Sequence, residues 1–166
     1  MGGNWGPGNV TAAAEFNIWA DPEAAAEVFA SGARLLMAGL DLTHQFMMTP
    51  QRIAAVRALG TPLATFGAEL LTYFSEAYAR SFGGAQQGPL HDPCAVLAVT
   101  DPQLFASADY HVAVETTGEL TRGATVVDRR TGSRSGVPNT TVLQTIDDEA
   151  AFEVLLDSLR SAGQAA

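Results

Sequence analysis

The chain repeatedly places a capping side chain and a proline just before an apolar stretch. Asp or Thr can accept a hydrogen bond from the orphan N–H groups of a helix, and proline suits the first helical turn. This pattern predicts helices at 21–31, 49–59, 61–81 and from His91 onward, and a short turn or helical segment at 101. Asp147-Asp148-Glu149 is predicted to cap a final amphipathic helix to about Ser161, followed by a frayed tail over 162–166.

Short apolar runs and two-residue alternation predict the strands. Arg34 to Leu42 is a compact apolar run, which favours a buried strand ending at Asp41. From Tyr110 the period becomes two and Gly118 offers a turn, which predicts a hairpin over 110–128. Thr140 to Ile146 is the last predicted strand, while 82–89 and 129–138 are polar loops. Because helices and strands alternate, the predicted class is α/β.

Composition excludes several classes of protein but does not indicate a particular function. The 166 residues predict one domain. All nine basic residues are Arg against 18 acidic ones, and this net charge of −9 argues against a nucleic-acid partner. No apolar run reaches the roughly 18 residues of a membrane span, and no signal peptide is recognisable. The single Cys94 cannot form an internal disulfide and favours a cytoplasmic location.

The N-terminus is unusual because MGGNWGPGNV holds four glycines and a proline in ten residues. Such a stretch is a loop, since Gly relaxes backbone limits and Pro removes a donor. Glycine-rich loops commonly follow a buried strand, and no strand precedes this one. Two explanations stay open: a flexible tail, or a chain that begins in the middle of a domain.

Three polar residues, Asn9, Glu15 and Asn17, lie in a segment of otherwise small or apolar residues. Carboxylate and amide groups together can bind the vicinal hydroxyls of a sugar. The alternative is that the two asparagines serve turns and that Glu15 is solvated, and spacing alone favours this alternative.

His91 and Asp92 form a second candidate pair at a helix start. Histidine titrates near neutral pH and aspartate is a hard oxygen ligand for Ca²⁺ or Mg²⁺. The simpler interpretation is an ordinary Asp-Pro helix cap. His44, just after the apolar run, either lines a site or caps a turn, and Cys94 is predicted to be a buried small residue rather than a nucleophile.

Aromatic residues recur on the long predicted helix, where Phe74, Tyr78 and Phe82 are four apart. Near a helix C-terminus such a row can stack on a planar ligand, although helical spacing of this kind more often marks the core.

In combination these motifs resemble the second half of a nucleoside hydrolase of the inosine–uridine preferring type. The matching stretches are MGG at 1–3, GNVTAAAEFNIWADPEAA at 8–25, GLDLTHQ at 39–45, HDPCAV at 91–96 and ETTGELTRGATVVDRR at 115–130. They occur in the family's order and cover nearly the whole chain. The resemblance implies the C-terminal part of a Rossmann-like open sheet with flanking helices and a β-hairpin, all within one domain.

The resemblance also implies hydrolysis of the N-glycosidic bond of a ribonucleoside with a tightly held Ca²⁺, in nucleoside catabolism and salvage. Asn9, Glu15 and Asn17 would bind the ribose hydroxyls, with Met1 close to the sugar. His91 would face the base and help protonate it, and Asp92 would be one Ca²⁺ ligand. Tyr78 and Phe74 would line the base pocket. Purine and pyrimidine nucleosides both remain open as substrates.

One family feature is missing from this sequence. Members begin with a strand that leads into a cluster of aspartates, which supplies most metal ligands and the general base, and no such cluster occurs here. We therefore expect a C-terminal fragment with an incomplete ligand set and little or no activity alone. Two further expectations follow: a homo-oligomer or pairing with the missing N-terminal half, or else a non-catalytic assembly or binding module derived from a truncated hydrolase.

Overall fold

The computed structural model describes residues 1–83, 86–132 and 136–164. Contacts between elements divide the chain into two compact units. The first unit comprises Met1–His44 and His91–Ile146, and the second comprises Gln45–Leu90 and Asp147–Ala166. The predicted loops at 82–89 and 129–138 and the predicted tail lie partly outside the described residues.

Helices and strands alternate, as the sequence predicts. The helices are α1 (Phe16–Ala20), α2 (Pro22–Ala30), α3 (Leu40–Thr43), α4 (Pro50–Arg57), α5 (Pro62–Phe82), α6 (His91–Thr100) and α7 (Asp148–Gln164), with a short 3-10 helix at Pro102–Leu104. The strands are β1 (Leu35–Met37), β2 (Met47–Met48), β3 (Gly88–Pro89), β4 (Phe105–Tyr110), β5 (Val112–Val114), β6 (Thr125–Val127) and β7 (Thr140–Ile146). The α/β class is confirmed.

The capping signals act as their chemistry requires. The carboxylate of Asp21 accepts the backbone N–H of Ala24 at 2.9 Å at the start of α2. The hydroxyls of Thr49 and Thr61 accept the third N–H of α4 and α5 in the same way. Each of these three helices also has proline in its first turn. The predicted helix starts are therefore confirmed.

In the first unit, a three-stranded open sheet has the order β1-β7-β4. β1 runs parallel to β7 with Leu35 opposite Thr140, and β4 runs antiparallel to β7 with Tyr110 opposite Thr140. The predicted hairpin is present as β5 and β6, which pair antiparallel. Met37, Val112 and Val142 form the buried centre, surrounded by four partly buried residues: Trp5, Phe29, Tyr110 and Val127.

The prediction of one strand from Arg34 to Leu42 is wrong in its second half. The strand ends at Met37, and Leu40–Thr43 forms α3. The backbone between them pairs with the N-terminal loop, since Gly2 N donates to Ala38 O at 3.1 Å and Leu40 N donates to Gly3 O at 2.9 Å. These tertiary contacts override the strand propensity of the apolar run.

Two other predictions need correction. β4 was not expected before Tyr110, because FASADY has a weak strand pattern, yet pairing with β7 makes it a strand. α7 continues through 162–164 instead of fraying. Gly163 lies so close to Thr61 that an added Cβ would be 2.7 Å from the Thr61 methyl carbon, so this end of α7 packs against the start of α5.

The second unit has Arg52 at its centre. Its guanidinium is about one-tenth exposed, donates to Met47 O at 3.0 Å and pairs with the carboxylates of Asp148 and Glu149. The rings of Phe46 and Phe152 lie 5.6 and 5.1 Å from the guanidinium carbon. One cation therefore ties α4 to the start of α7 and to the aromatic core of this unit.

The long helix α5 carries an apolar face that is exposed in the structure. Phe66, Leu70 and Tyr73 are 59%, 52% and 70% exposed, while Ala64, Ala68 and Ser75 are buried. The helix is present as predicted, but these three large residues do not form its packed face. No helix among the described residues is long and apolar enough to cross a membrane.

Candidate active site

The N-terminal loop is held in place on several sides within the first unit. Beyond the pairing with Ala38 and Leu40, Asn4 N donates to the Thr125 hydroxyl at 2.8 Å, and that hydroxyl donates to Asn4 O at 2.5 Å. Trp5 N donates to the Asp41 carboxylate at 2.7 Å. Of the two explanations for this glycine-rich segment, the flexible tail is wrong, because residues 2–4 are buried and the backbone of residues 2–5 is hydrogen-bonded to distant parts of the first unit.

Glu15 organises the end of this loop from inside the protein. The side chain is only 2% exposed. Its Oε2 accepts from Gly3 N at 2.9 Å and from Ile18 N at 3.3 Å, and its Oε1 accepts from Asn17 N at 2.9 Å. The carboxylate thus caps α1 and fixes the loop to it. The expectation of a solvated Glu15 is wrong, because these amides need a buried acceptor.

The other predicted ribose ligands gather around the same helix start. Asn17 is exposed, and its amide nitrogen donates to the carbonyl oxygen and the sulfur of Met1 at 3.3 and 3.2 Å. The amide oxygen of Asn9 accepts from Phe16 N at 2.9 Å. The structure therefore brings together Met1, Asn9, Glu15 and Asn17.

Several polar atoms of this cluster have hydrogen-bonding positions that no described residue uses. Within the described part of the chain, neither the Asn17 amide oxygen nor the Asn9 amide nitrogen makes a hydrogen bond. A carboxylate oxygen has about two acceptor positions, so the Oε1 of Glu15 retains one. Two acceptors and one donor are thus available, which is a set that suits a vicinal diol.

His91 begins α6 and contacts the segment that follows β1. Its Nδ1 lies 2.7 Å from the hydroxyl of Thr43, and its ring meets His44 edge-on with centroids 5.6 Å apart. His44 also ends α3, as one of its two predicted alternatives has it, and its role in lining a site stays a prediction. Because the same segment binds the N-terminal loop through Ala38 and Leu40, one backbone stretch supports both parts of the candidate site.

The two imidazoles are shifted toward their neutral forms. Burial, assisted by the neighbouring His44, lowers the pKa of His91 from 6.5 to about 4, although the Asp92 carboxylate acts in the opposite direction. Burial also lowers the pKa of His44, against the opposing effect of Asp41. At neutral pH His91 is therefore an uncharged ring that can donate one N–H.

Asp92 offers an exposed carboxylate beside His91. Among the described residues, no group of three or more His, Cys, Asp or Glu side chains comes together to hold a metal ion. Ca²⁺ takes six to eight oxygen ligands. The side chains in this part of the chain do not fit a Ca²⁺ site on their own.

The aromatic row lies in the second unit, on α5. The rings of Phe74 and Tyr78 are 5.9 Å apart and those of Tyr78 and Phe82 are 4.6 Å apart. Phe74 and Phe82 are 37% and 56% exposed, and Tyr78 is half-buried with its pKa raised by that burial. This row is not core, so the interpretation that spacing favoured is wrong here.

Cys94 is fully buried on α6, as the sequence predicts. Burial raises the pKa of its thiol from 9.0 to about 12, so the folded chain holds almost no thiolate.

We expect a thiol reagent at about pH 8 to leave Cys94 of the native chain unmodified and to react with it fully in denaturant. The thiol ionises near pH 9.0 in the unfolded chain, whereas in the folded chain it stays neutral up to about pH 12. The free energy of unfolding should therefore also fall as pH rises above about 9. Rapid labelling of the native chain would contradict this expectation.

Sequence reasoning missed one residue of the site and left another undecided. Thr43 is not among the residues that the sequence singles out. For His44 the sequence leaves two roles open, lining a site or capping a turn. The available signal was the run Leu42-Thr43-His44 directly after an apolar strand, where the carboxyl ends of strands in α/β sheets commonly carry functional side chains.

Comparisons with known proteins identify the family of this chain. The sequence pattern of the inosine-uridine preferring nucleoside hydrolases matches residues 1–153. The pyrimidine-specific ribonucleoside hydrolase RihA of Enterobacter sp. (strain 638) is 45% identical over 161 residues, which are 96% of this chain and 50% of that protein. RihA of Escherichia coli K12 is 44% identical over 162 residues, which are 96% of this chain and 51% of that protein.

A solved structure extends the likeness to three dimensions. The purine-preferring ribonucleoside hydrolase from Gardnerella vaginalis superposes with a TM-score of 0.88 at 32% identity, covering 100% of this chain and 52% of that one. The fold of this chain is thus that of about half of a nucleoside hydrolase. The chain belongs to the inosine-uridine preferring nucleoside hydrolase family, and it spans about half the length of the curated relatives it matches.

Proposed function

We propose that this chain carries the ribose- and base-binding half of a hydrolase that splits ribonucleosides into ribose and free base. The observation that supports this most is the cluster of Met1, Asn9, Glu15 and Asn17, gathered at one helix start with unused hydrogen-bonding positions. Under this proposal residues 1–166 are the C-terminal part of one hydrolase domain.

The sugar would be bound by the groups that are still available. The Oε1 of Glu15 and the amide oxygen of Asn17 accept from ribose hydroxyls, while the Asn9 amide nitrogen donates to a hydroxyl oxygen. Since Glu15 is fixed by three backbone N–H groups, its carboxylate is already oriented before a ligand arrives. This rigidity reduces the entropy cost of binding.

His91 would act on the leaving base. As the ribose acquires oxocarbenium character, electron density moves to the base, and a donated hydrogen bond or a proton at a base nitrogen stabilises it. The neutral His91 ring supplies such an N–H. Tyr78 and Phe74 would stack on the base. We expect pyrimidine nucleosides to bind better than purine ones, because the RihA relatives at 44–45% identity are pyrimidine-specific.

A Ca²⁺ ion belongs to the proposal only in part. Asp92 would supply one oxygen ligand, and the remaining ligands are not among the described residues. For this reason we expect the chain alone to bind Ca²⁺ weakly and to show little or no hydrolysis. The lone Cys94 supports a cytoplasmic setting, in which nucleoside catabolism and salvage occur.

Ligand-observed NMR with uridine and inosine tests the binding half directly. We expect saturation transfer from the 166-residue chain to the ribose protons of uridine. Asn17→Ala should remove this signal, because the variant deletes an exposed acceptor without touching the core. Gln103→Ala is the matched control, since that amide is also exposed in the first unit but lies outside the loop. Equal signals from both variants would contradict the ribose-binding role.

Hydrolysis is measured separately, as release of free base with Ca²⁺ present. We expect no release above background from the chain alone. Turnover near that of a full-length relative would overturn the expectation of an incomplete site.

Assembly with another polypeptide chain is the second candidate function. The exposed face of α5, formed by Phe66, Leu70 and Tyr73, is an apolar surface of the kind that marks protein contacts. β1 is also at the edge of its sheet, and Leu36 on it is 43% exposed. We infer that the chain forms a homo-oligomer or pairs with the other half of a hydrolase domain. A monomer by light scattering that also melts in one sharp transition would contradict this.

A further inference from the structure

The hydroxyl of Thr43 is an unusual neighbour for a candidate catalytic histidine. Thr43 is fully buried at the end of α3, and its Oγ1 lies 2.7 Å from the Nδ1 of His91. In the described residues this is the only hydrogen bond that the hydroxyl makes. The backbone of Thr43 is fixed by its own N–H, which donates to Gly39 O at 3.0 Å.

The hydrogen bond between Thr43 and His91 can have its proton on either partner, and the two arrangements differ in free energy. If Nδ1 carried the proton and donated it, the Thr43 O–H would have no acceptor in a fully buried position. An unsatisfied buried donor costs about 1–3 kcal/mol. If Thr43 donates instead, its proton and the Nδ1 lone pair are both satisfied, and only lone pairs of the hydroxyl oxygen stay unused.

We propose that Thr43 is a positioning residue that donates to Nδ1 and thereby holds His91 as the tautomer protonated at Nε2. The ring then has one N–H, at Nε2, which is the donor available to a leaving base. The catalytic meaning of this arrangement rests on the proposed function, whereas the tautomer itself does not.

The surroundings restrict the ring in the same orientation. His44 packs edge-on against His91, with centroids 5.6 Å apart. A 180° rotation of the imidazole about its Cβ–Cγ bond would put a carbon, Cδ2, in the place of Nδ1, break the bond to Thr43 and leave that buried hydroxyl without a partner. Contacts at the ring and at Nδ1 therefore select the same arrangement.

Nitrogen NMR of isotope-labelled histidine tests the tautomer without any turnover. At about pH 8 even an ordinary imidazole is neutral, so each ring nitrogen is either protonated or bare. For His91 we expect a bare Nδ1 and a protonated Nε2, assigned by comparison with His91→Gln. A protonated Nδ1 in the unmodified chain would overturn the proposal.

Variants of Thr43 separate the hydroxyl from the packing. Thr43→Val keeps the shape and deletes the donor, so the His91 signals should move toward a mixture of tautomers. Thr43→Ser should restore the original signals, and Thr145→Val, at an exposed position of β7, is the control. Unchanged His91 signals in Thr43→Val would refute the role of the hydroxyl. If the valine variant does not fold, the unmodified chain and Thr43→Ser still decide the question. A failure to bind nucleosides would count against the proposed function alone.

Discussion

Replacement of Arg52 by methionine is expected to lower the free energy of unfolding of the second unit by about 3 kcal/mol. Methionine keeps much of the side-chain volume but removes the donors to Met47 O and to the Asp148 carboxylate. It also removes the cation between the rings of Phe46 and Phe152. The loss should be smaller than for a fully buried ion triad, because Glu149 is largely exposed and regains water.

Urea unfolding followed by far-UV circular dichroism measures this effect. Both tryptophans, Trp5 and Trp19, lie in the first unit, so their fluorescence does not report directly on Arg52. Arg57→Met on the exposed side of α4 is the matched control and should change stability by less than about 0.5 kcal/mol. Equal midpoints for the two variants would show that Arg52 does not hold this unit together.

Glu15→Ala should cost about 2–3 kcal/mol of stability in the first unit. The variant leaves the N–H groups of Gly3, Asn17 and Ile18 without their acceptor, and Gly3 N is buried. Glu15→Gln should have an intermediate effect, because one oxygen remains while the new amide N–H₂ faces backbone donors.

Tryptophan fluorescence is the appropriate probe for this variant, since Trp5 lies in the loop and Trp19 lies on α1. Glu27→Ala on the exposed side of α2 is the control and should unfold with the unmodified chain. A Glu15→Ala midpoint indistinguishable from that of Glu27→Ala would mean that the buried carboxylate is dispensable for folding.

Local chemistry made the helices predictable, because their start signals act over three or four residues. Asp21, Thr49 and Thr61 cap the helices that they were expected to cap. β4 and α3 were missed because partners distant in sequence decide them. Phe105–Tyr110 is a strand through β7, and the backbone before Leu40 turns toward Gly3.

In the candidate site, too, what the sequence indicates differs from what contacts between distant residues decide. A resemblance of motifs pointed to Asn9, Glu15, Asn17 and His91. Residue spacing alone favoured turns for the two asparagines and a solvated Glu15. Spacing could not show that Glu15 is buried, since burial depends on the loop folding back over it. It also could not place Thr43 against His91, because 48 residues separate them.

The paired hydrogen bonds between Asn4 and Thr125 also bear on the order in which the site forms. These residues are 121 positions apart in the sequence. A ribosome adds about 5–20 residues per second, so the N-terminal loop must wait several seconds for β6 to emerge before it can close. The residues of this loop are thus synthesised well before β6 but reach their native positions only after it, and Glu15 and its neighbours are accessible to chaperones and proteases in the meantime.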